Sequence, residues 1–216
     1  AEFDAARPTV LITGSNRGIG HAFARHYADA DWNVIATTRS PDTAADLQRL
    51  AADHPQVAVE PLDVTDDLSI ARLAAAYAGQ PIDLLINNAG VYGDPAKQSW
   101  GTLDAGAFEQ VMAVNVYGPL KVTEAFTEHL AASRDKKVVA LTSGVSSLEL
   151  GRGAGDGLLY AISKAALNMA MRKAGIALRE QGITVGLVAP GMVDTDMLAR
   201  SRPGVRSGVT PEQAAA

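Results

Sequence analysis

The amino-acid sequence predicts a doubly wound parallel α/β fold: one domain, with helices on both faces of a central sheet in three α/β/α layers. Three observations predict it. Short β-branched apolar runs alternate along the chain with longer stretches at helical spacing. The runs are continuously apolar rather than alternating, as parallel strands buried on both faces require. A glycine-rich turn, TGSNRGIG (13–20), joins the first run to the first helical stretch, as in a Rossmann-type arrangement.

The elements follow in order. TVLIT (9–13) is the first strand, and IGHAFARHYADA (19–30) the first helix. WNVIATT (32–38) is the second strand. SPDTAADLQRLAAD (40–53) reads as a helix with Ser40 as N-cap and Pro41 at its first position. VAVEPLDV (57–64) is the third strand. TDDLSIARLAAAYA (65–78) opens on a capping residue and early acids, so it is a helix. IDLLINNAG (82–90) is the fourth strand, and 104–133 is helical with a break near Gly118-Pro119. KKVVALTS (136–143) is the fifth strand, 158–181 a long helix and ITVGLVAPG (183–191) the sixth strand. A seventh strand is expected to complete such a sheet, but the sequence stops at SGVTPEQAAA, which begins as a helix does with Thr210 and then Pro211, so the last strand is expected to be missing. The domain is read as 8–216, with 1–7 as an N-terminal extension.

Composition narrows the function classes. Hydrophobic residues make up 47% and charged residues 20%, a globular rather than a disordered balance. The net charge of −5 argues against nucleic acid, which needs a basic footprint. With no cysteine, thiolate catalysis, disulfides and thiolate metal sites are excluded, and a cytoplasmic location is expected. No apolar run reaches the roughly 18 residues that span a bilayer, so no membrane partner is expected. The four histidines are scattered without ligand spacing, so no metal site is expected.

The turn's glycines, Gly14, Gly18 and Gly20, are spaced G-x-x-x-G-x-G. Gly14 permits a tight turn, Gly18 lets backbone approach a pyrophosphate, and Gly20 lets helix pack on strand. The helix that follows would face the anion with its free N–H groups. The whole turn, including Ser15, Asn16, Arg17 and Ile19, is therefore a cofactor-binding candidate. An NAD site places an acid at the end of the second strand, but here stand Thr38 and Arg39. Two guanidiniums, Arg17 and Arg39, suit a ribose 2′-phosphate and favour NADP(H) over NAD(H). Asp63 and Val64, ending the third strand, are placed to meet the adenine, although Asp63 could equally be a plain cap.

At this point the sequence resembles the short-chain dehydrogenase/reductase family. TGSNRGIG matches its T-G-x-x-x-G-x-G turn, NNAG (87–90) its segment after the fourth strand, and Asn115 its helix asparagine. YAISK (160–164) matches Y-x-x-x-K, and APGMVDTDM (189–197) matches P-G-x-V-x-T. The likeness runs from about residue 8 to 198. Within the family the chain is similar to the C-factor and sniffer-type carbonyl reductases, through VIATTRSP, NNAGVYG and SKAALNMA. The resemblance implies cofactor contacts from Asn88, Ala89, Gly90, Tyr160, Lys164, Pro190, Gly191, Val193 and Thr195. It implies a small carbonyl or alcohol substrate, a mobile substrate lid over 192–209, and homodimers or homotetramers through the two long helices.

Hydride transfer to a carbonyl needs a proton delivered to the substrate oxygen. A phenol with an ordinary pKa near 10 is a poor base at neutral pH, and a neighbouring cation lowers it. Tyr160 and Lys164, four apart, share one helix face, so Lys164 can act on Tyr160. The resemblance adds that the lysine holds ribose hydroxyls, a serine polarises the substrate oxygen, and Asn115 holds a relay water. For the serine, the usual family spacing selects Ser147, whereas strand geometry selects Ser143, which ends VVALTS. A lengthened Gly-rich loop (151–158) would account for the wider spacing, and Ser143 is chosen. Tyr92 and Trp100 are read as core or rim packing. The first functional expectation is an NADPH-dependent carbonyl reductase or alcohol dehydrogenase. The second is a protein that senses NADP(H) with little turnover, and the third is epimerase or dehydratase chemistry on a nucleotide sugar. All four catalytic residue types weigh against the second, and the chain lacks the long C-terminal domain usual in the third.

Overall fold

The computed structural model describes residue 1, residues 3–149 and residues 157–216. Six parallel strands form one sheet: β1 (Thr9–Ile12), β2 (Asn33–Thr38), β3 (Val57–Pro61), β4 (Leu84–Asn87), β5 (Lys137–Leu141) and β6 (Thr184–Val188). Their order is β3-β2-β1-β4-β5-β6, with β1 flanked by β2 and β4. The order reverses there, which opens a crevice beyond the carboxyl ends of the strands. The strands β1, β2 and β4 are buried along their whole length. Their side chains alternate between two apolar layers, which explains the continuous apolar runs. Val10, Ile12, Val34 and Ala36 face one cluster, with Leu11, Ile35, Leu85 and Val138 facing the other.

The helices are α1 (Gly18–Asp29), α2 (Ala45–Asp53), α3 (Asp67–Ala76), α4 (Ala105–Met112), α5 (Gly118–Ala125), α6 (Thr127–Ala131), α7 (Leu158–Ala177), α8 (Asp196–Ser201) and α9 (Pro211–Ala215). Several differ from expectation for local reasons. Ser40 makes no capping bond; a single 3₁₀ turn, Pro41–Thr43, precedes α2. Asp66 rather than Thr65 caps α3, accepting from the Leu68 N–H. The long helical stretch is interrupted directly before Gly118-Pro119, by a π-helical turn, Ala113–Tyr117. Pro119 sits in the first turn of α5, where the helix passes from π to α hydrogen bonding. Gly118 is needed for packing, because a Cβ there would press on Val64 at 2.9 Å. Among the described residues no seventh strand follows β6, and the chain instead forms α9, started by a capping box between Thr210 and Gln213. No helix among them is long and apolar enough to cross a membrane.

Residues 3–7 pack onto this fold. Asp4 and Arg7 give their carbonyls to the buried Asn33 amide, and Phe3 packs against Tyr77.

Candidate active site

The glycine turn positions everything at the outer end of the crevice. Gly14 and Gly18 hold left-handed backbone, with φ of +71° and +56°. A Cβ on Gly20 would overlap the Gly14 carbonyl oxygen, so only glycine lets α1 begin so close to the turn. Arg17 precedes α1 without a side-chain capping bond, and the first turn of α1 holds no acid. Its N–H groups and dipole therefore remain available to an anion. The NNAG segment stitches β4 to this turn. Asn88 donates from Nδ2 to the carbonyls of Thr13 and Gly14 at 2.8 and 2.9 Å, and the Thr13 hydroxyl accepts from the Asn88 and Ala89 N–H groups.

The crevice encloses about 750 Å³, the size of a cofactor site. Gly14, Asn16, Arg17, Gly18, Ile19, Gly20, Thr38, Arg39, Asp63 and Val64 border it at one end, with Asn88, Ala89, Gly90, Pro190 and Thr195 further along. Tyr160 and Lys164 border its inner end. Three expected contacts are placed differently. Ser15 is fully buried, its hydroxyl spent on the Ile12 carbonyl. Val193 is buried, and Gly191 makes a turn with φ +79°. Arg17 pairs with Asp196 at 3.1 Å, an exposed contact of little energetic weight. Asp63 serves as a turn cap, accepting from the Thr65 N–H and hydroxyl at 2.9 and 2.7 Å. Partial burial pushes its carboxyl up, but those bonds and the nearby Arg39 outweigh this and hold it below the usual carboxylate range.

At the inner end, α7 presents Tyr160 and Lys164 to the exit of β5. Lys164 is 5% exposed and donates from Nζ to the Leu141 carbonyl at 2.8 Å. Its Nζ lies 5.7 Å from the Tyr160 ring centre. Burial pulls the Lys164 ammonium down to about 8. Burial also raises the Tyr160 phenol, opposed by a hydrogen bond from the Ser143 hydroxyl and aided by Tyr92. The expected lowering of the phenol by Lys164 does not act in the chain itself, where the ammonium is turned to Leu141 and burial raises the phenol instead. Of the three candidate serines, Ser143 is the one whose hydroxyl acts on the charge of the phenol, while Ser146 donates to the Ser143 carbonyl at 2.6 Å. The Gly-rich stretch expected to lengthen the loop (151–158) lies, but for its last two residues, outside the described residues.

Asn115 is fully buried in the π turn. Its amide clamps Val91, accepting from that N–H and donating to that carbonyl, both at 2.8 Å. Its second amide hydrogen goes to Ser163 at 3.0 Å, and Ser163 donates to the Tyr160 carbonyl at 2.7 Å. Gly90 stands between the groups, since a Cβ there would lie 3.4 Å from Asn115 Oδ1 and 3.6 Å from Lys164 Nζ.

Two residues escaped the sequence reading. Gln98, 1% exposed, reaches across to the start of α7: its Oε1 accepts from the Tyr160 N–H at 3.1 Å and its carbonyl from the Leu158 N–H at 3.0 Å. Its Nε2 donates to the Tyr92 carbonyl at 3.0 Å. It thereby caps a helix whose own N-cap, Gly157, has no side chain. Asn168 bonds the β5 exit one turn beyond Lys164. Its only trace in the sequence is that i+4 spacing. Tyr92 packs its ring on Tyr160, centres 5.1 Å apart, whereas Trp100 is exposed rather than packed in the core. Asp194 ties 192–209 together by accepting from the Ser207 N–H at 2.8 Å. Among the described residues no cluster of His, Asp or Glu is placed to hold a metal ion.

Comparison with known proteins points one way. Residues 8–206 match the family described as short chain dehydrogenase. A 1-hydroxy-2-glutathionyl-2-methyl-3-butene dehydrogenase from Rhodococcus sp. (strain AD45) is 37% identical over 216 residues, spanning 96% of this chain and 87% of that one. The NADPH-bound carbonyl reductase from chicken fatty liver superposes with a TM-score of 0.85 at 32% identity, covering 96% of this chain and 88% of that one. A carbonyl reductase from Pseudomonas aeruginosa PAO1 in complex with NADP gives 0.82 at 30% identity, over 97% and 87%.

Proposed function

The chain belongs to the short-chain dehydrogenase family of oxidoreductases, and from that premise we propose that it is an NADP(H)-dependent enzyme of the carbonyl reductase type. It would transfer a hydride between the nicotinamide and a carbonyl or secondary-alcohol substrate, with Tyr160 as acid and base. The observation that carries the proposal is the pairing of Tyr160 with Lys164 at the inner end of a crevice whose outer end is a glycine turn.

The residues fit a dinucleotide. The uncapped start of α1 and the left-handed Gly18 offer backbone N–H groups to a pyrophosphate. Thr38 and Arg39, with no acid beside them at the end of β2, suit the 2′-phosphate of NADP rather than the free hydroxyl of NAD. When bound, the nicotinamide supplies or accepts the hydride. The protein handles the proton. The Tyr160 phenol, raised further by burial, is protonated at neutral pH, the state that can donate to a carbonyl oxygen in reduction; in the reverse reaction the phenolate would take that proton back. Ser143 is placed to polarise the same oxygen as its charge grows. Lys164 gives one of its three hydrogens to Leu141, and the others can serve the cofactor ribose and the phenolate after proton transfer. Asn115 has committed both amide hydrogens, so what it offers a relay water is an oxygen.

Phe108, Tyr117 and Met169, all half-exposed on α4, the π turn and α7, support pairing of subunits through these helices. The proposal is tested by following NADPH consumption over a set of ketones and aldehydes; binding of NADPH with no turnover would favour a sensor.

A further inference from the structure

Tyr160, Lys164 and Asn168 lie one turn apart on a single face of α7. Each grips the exit of β5 at a different point. Tyr160 meets the Ser143 hydroxyl, and Lys164 takes the Leu141 carbonyl. Asn168 is used at both ends: its Oδ1 accepts from the Thr142 hydroxyl at 2.6 Å, and its Nδ2 donates to Ser146 Oγ at 2.8 Å. Ser146 passes the link on, donating to the Ser143 carbonyl at 2.6 Å. Two short hydrogen bonds thus join Asn168 to Ser143, the residue whose hydroxyl opposes the effect of burial on the Tyr160 phenol.

The turn's own backbone bonds run from the Ser146 N–H to the Ser143 carbonyl at 3.0 Å and from the Ser147 N–H to the Gly144 carbonyl at 3.2 Å, and neither ties it to α7. It is one 3₁₀ turn, Gly144–Ser146, and a Cβ on Gly144 would meet nothing within 4 Å. The bond from the Val145 N–H to Ser143 Oγ, at 3.4 Å, is at the weak limit. A hydroxyl that polarises a reacting oxygen needs its position held to about half an ångström. The proton count is directional: Asn168 donates to Ser146, so the Ser146 proton is left for the Ser143 carbonyl.

We infer that Asn168 is a positioning residue that acts through Ser146 to hold Ser143 against Tyr160. This rests on the proposed roles of Ser143 and Tyr160. The test is a double-mutant cycle on carbonyl reduction: native, Asn168→Ala, Ser143→Ala and the double variant, with NADPH affinity measured for each. Asn168→Ala should lower kcat by roughly three- to tenfold, the worth of one hydrogen bond, and leave NADPH affinity unchanged. In the Ser143→Ala background the same change should cost less than about twofold, because no hydroxyl remains to be positioned. Ser146→Ala, a smaller change, should reproduce Asn168→Ala even if the latter folds poorly. An equal loss from Asn168→Ala in both backgrounds, with Ser143→Ala itself impaired, would overturn the role of Asn168 alone. An unimpaired Ser143→Ala would remove Ser143 from the reaction, and the role of Asn168 with it.

Discussion

The Lys164 ammonium is buried 5.7 Å from the ring centre of Tyr160 and donates to the carbonyl oxygen of Leu141, the last residue of β5, at 2.8 Å. That bond anchors the middle of α7 to the sheet. It also holds the charge in surroundings poor enough in water to pull its pKa down to about 8.

A dependence on pH follows. The unfolded chain keeps this lysine protonated to about 10.4, while the folded chain releases the proton near 8. Below pH 8 both states are protonated and burial of the charge costs stability in full. Between about 8 and 10.4 the unfolded state binds more protons, so folded stability rises with pH. Comparison of native protein with Lys164→Met, which cannot titrate there, isolates the effect. The difference in unfolding free energy should move in favour of the native chain by roughly 3 kcal/mol across that window. A flat difference would show that the ammonium is not destabilised by burial.

Arg39 should matter to one cofactor more than the other. A guanidinium bonded to a phosphate contributes about 1.5–3 kcal/mol, so Arg39→Ala should reduce kcat/KM for NADPH by roughly ten- to a hundredfold. NADH, with no 2′-phosphate, should change little. Equal losses with both cofactors would contradict the 2′-phosphate assignment.

Gln98 should be needed for the start of α7. Gln98→Ala removes the side-chain bonds to the Tyr160 N–H and the Tyr92 carbonyl, both part-buried. Each such bond contributes about 0.5–1.5 kcal/mol. Urea unfolding should show a loss of that order or more, and kcat should fall because Tyr160 loses its fixed seat. Gln98→Glu retains the acceptor for Tyr160 and should recover part of the activity. An unchanged unfolding midpoint in Gln98→Ala would contradict the capping role.

What could be read from sequence follows from how local each interaction is. Gly20 was legible because a helix started against a turn leaves no room for a side chain, and that need shows in the spacing. Tyr160 and Lys164 were legible because residues four apart share a helix face. Gln98 was not, because the helix start it caps lies some sixty positions away and its one nearby partner, the Tyr92 carbonyl, is a backbone group that leaves no mark in the sequence. Asn115 was placed on the right helix, but its π turn was hidden, since Gly118-Pro119 offered a more obvious break. The Ser40 cap failed because Pro41 opened a 3₁₀ turn instead of the helix proper. The want of a seventh strand among the described residues was legible, because Thr210 and Pro211 mark a helix start where that strand would stand.

The most direct measurement is NADPH oxidation by the native chain and by Tyr160→Phe over a panel of ketones and aldehydes, with NADPH binding followed by fluorescence titration. The native chain is expected to reduce at least one carbonyl. Tyr160→Phe, without the proton to give, is expected to lose about a hundred- to ten-thousandfold in kcat while binding NADPH within about threefold of the native affinity. Turnover by Tyr160→Phe at the native rate would contradict the assignment of Tyr160 as the acid.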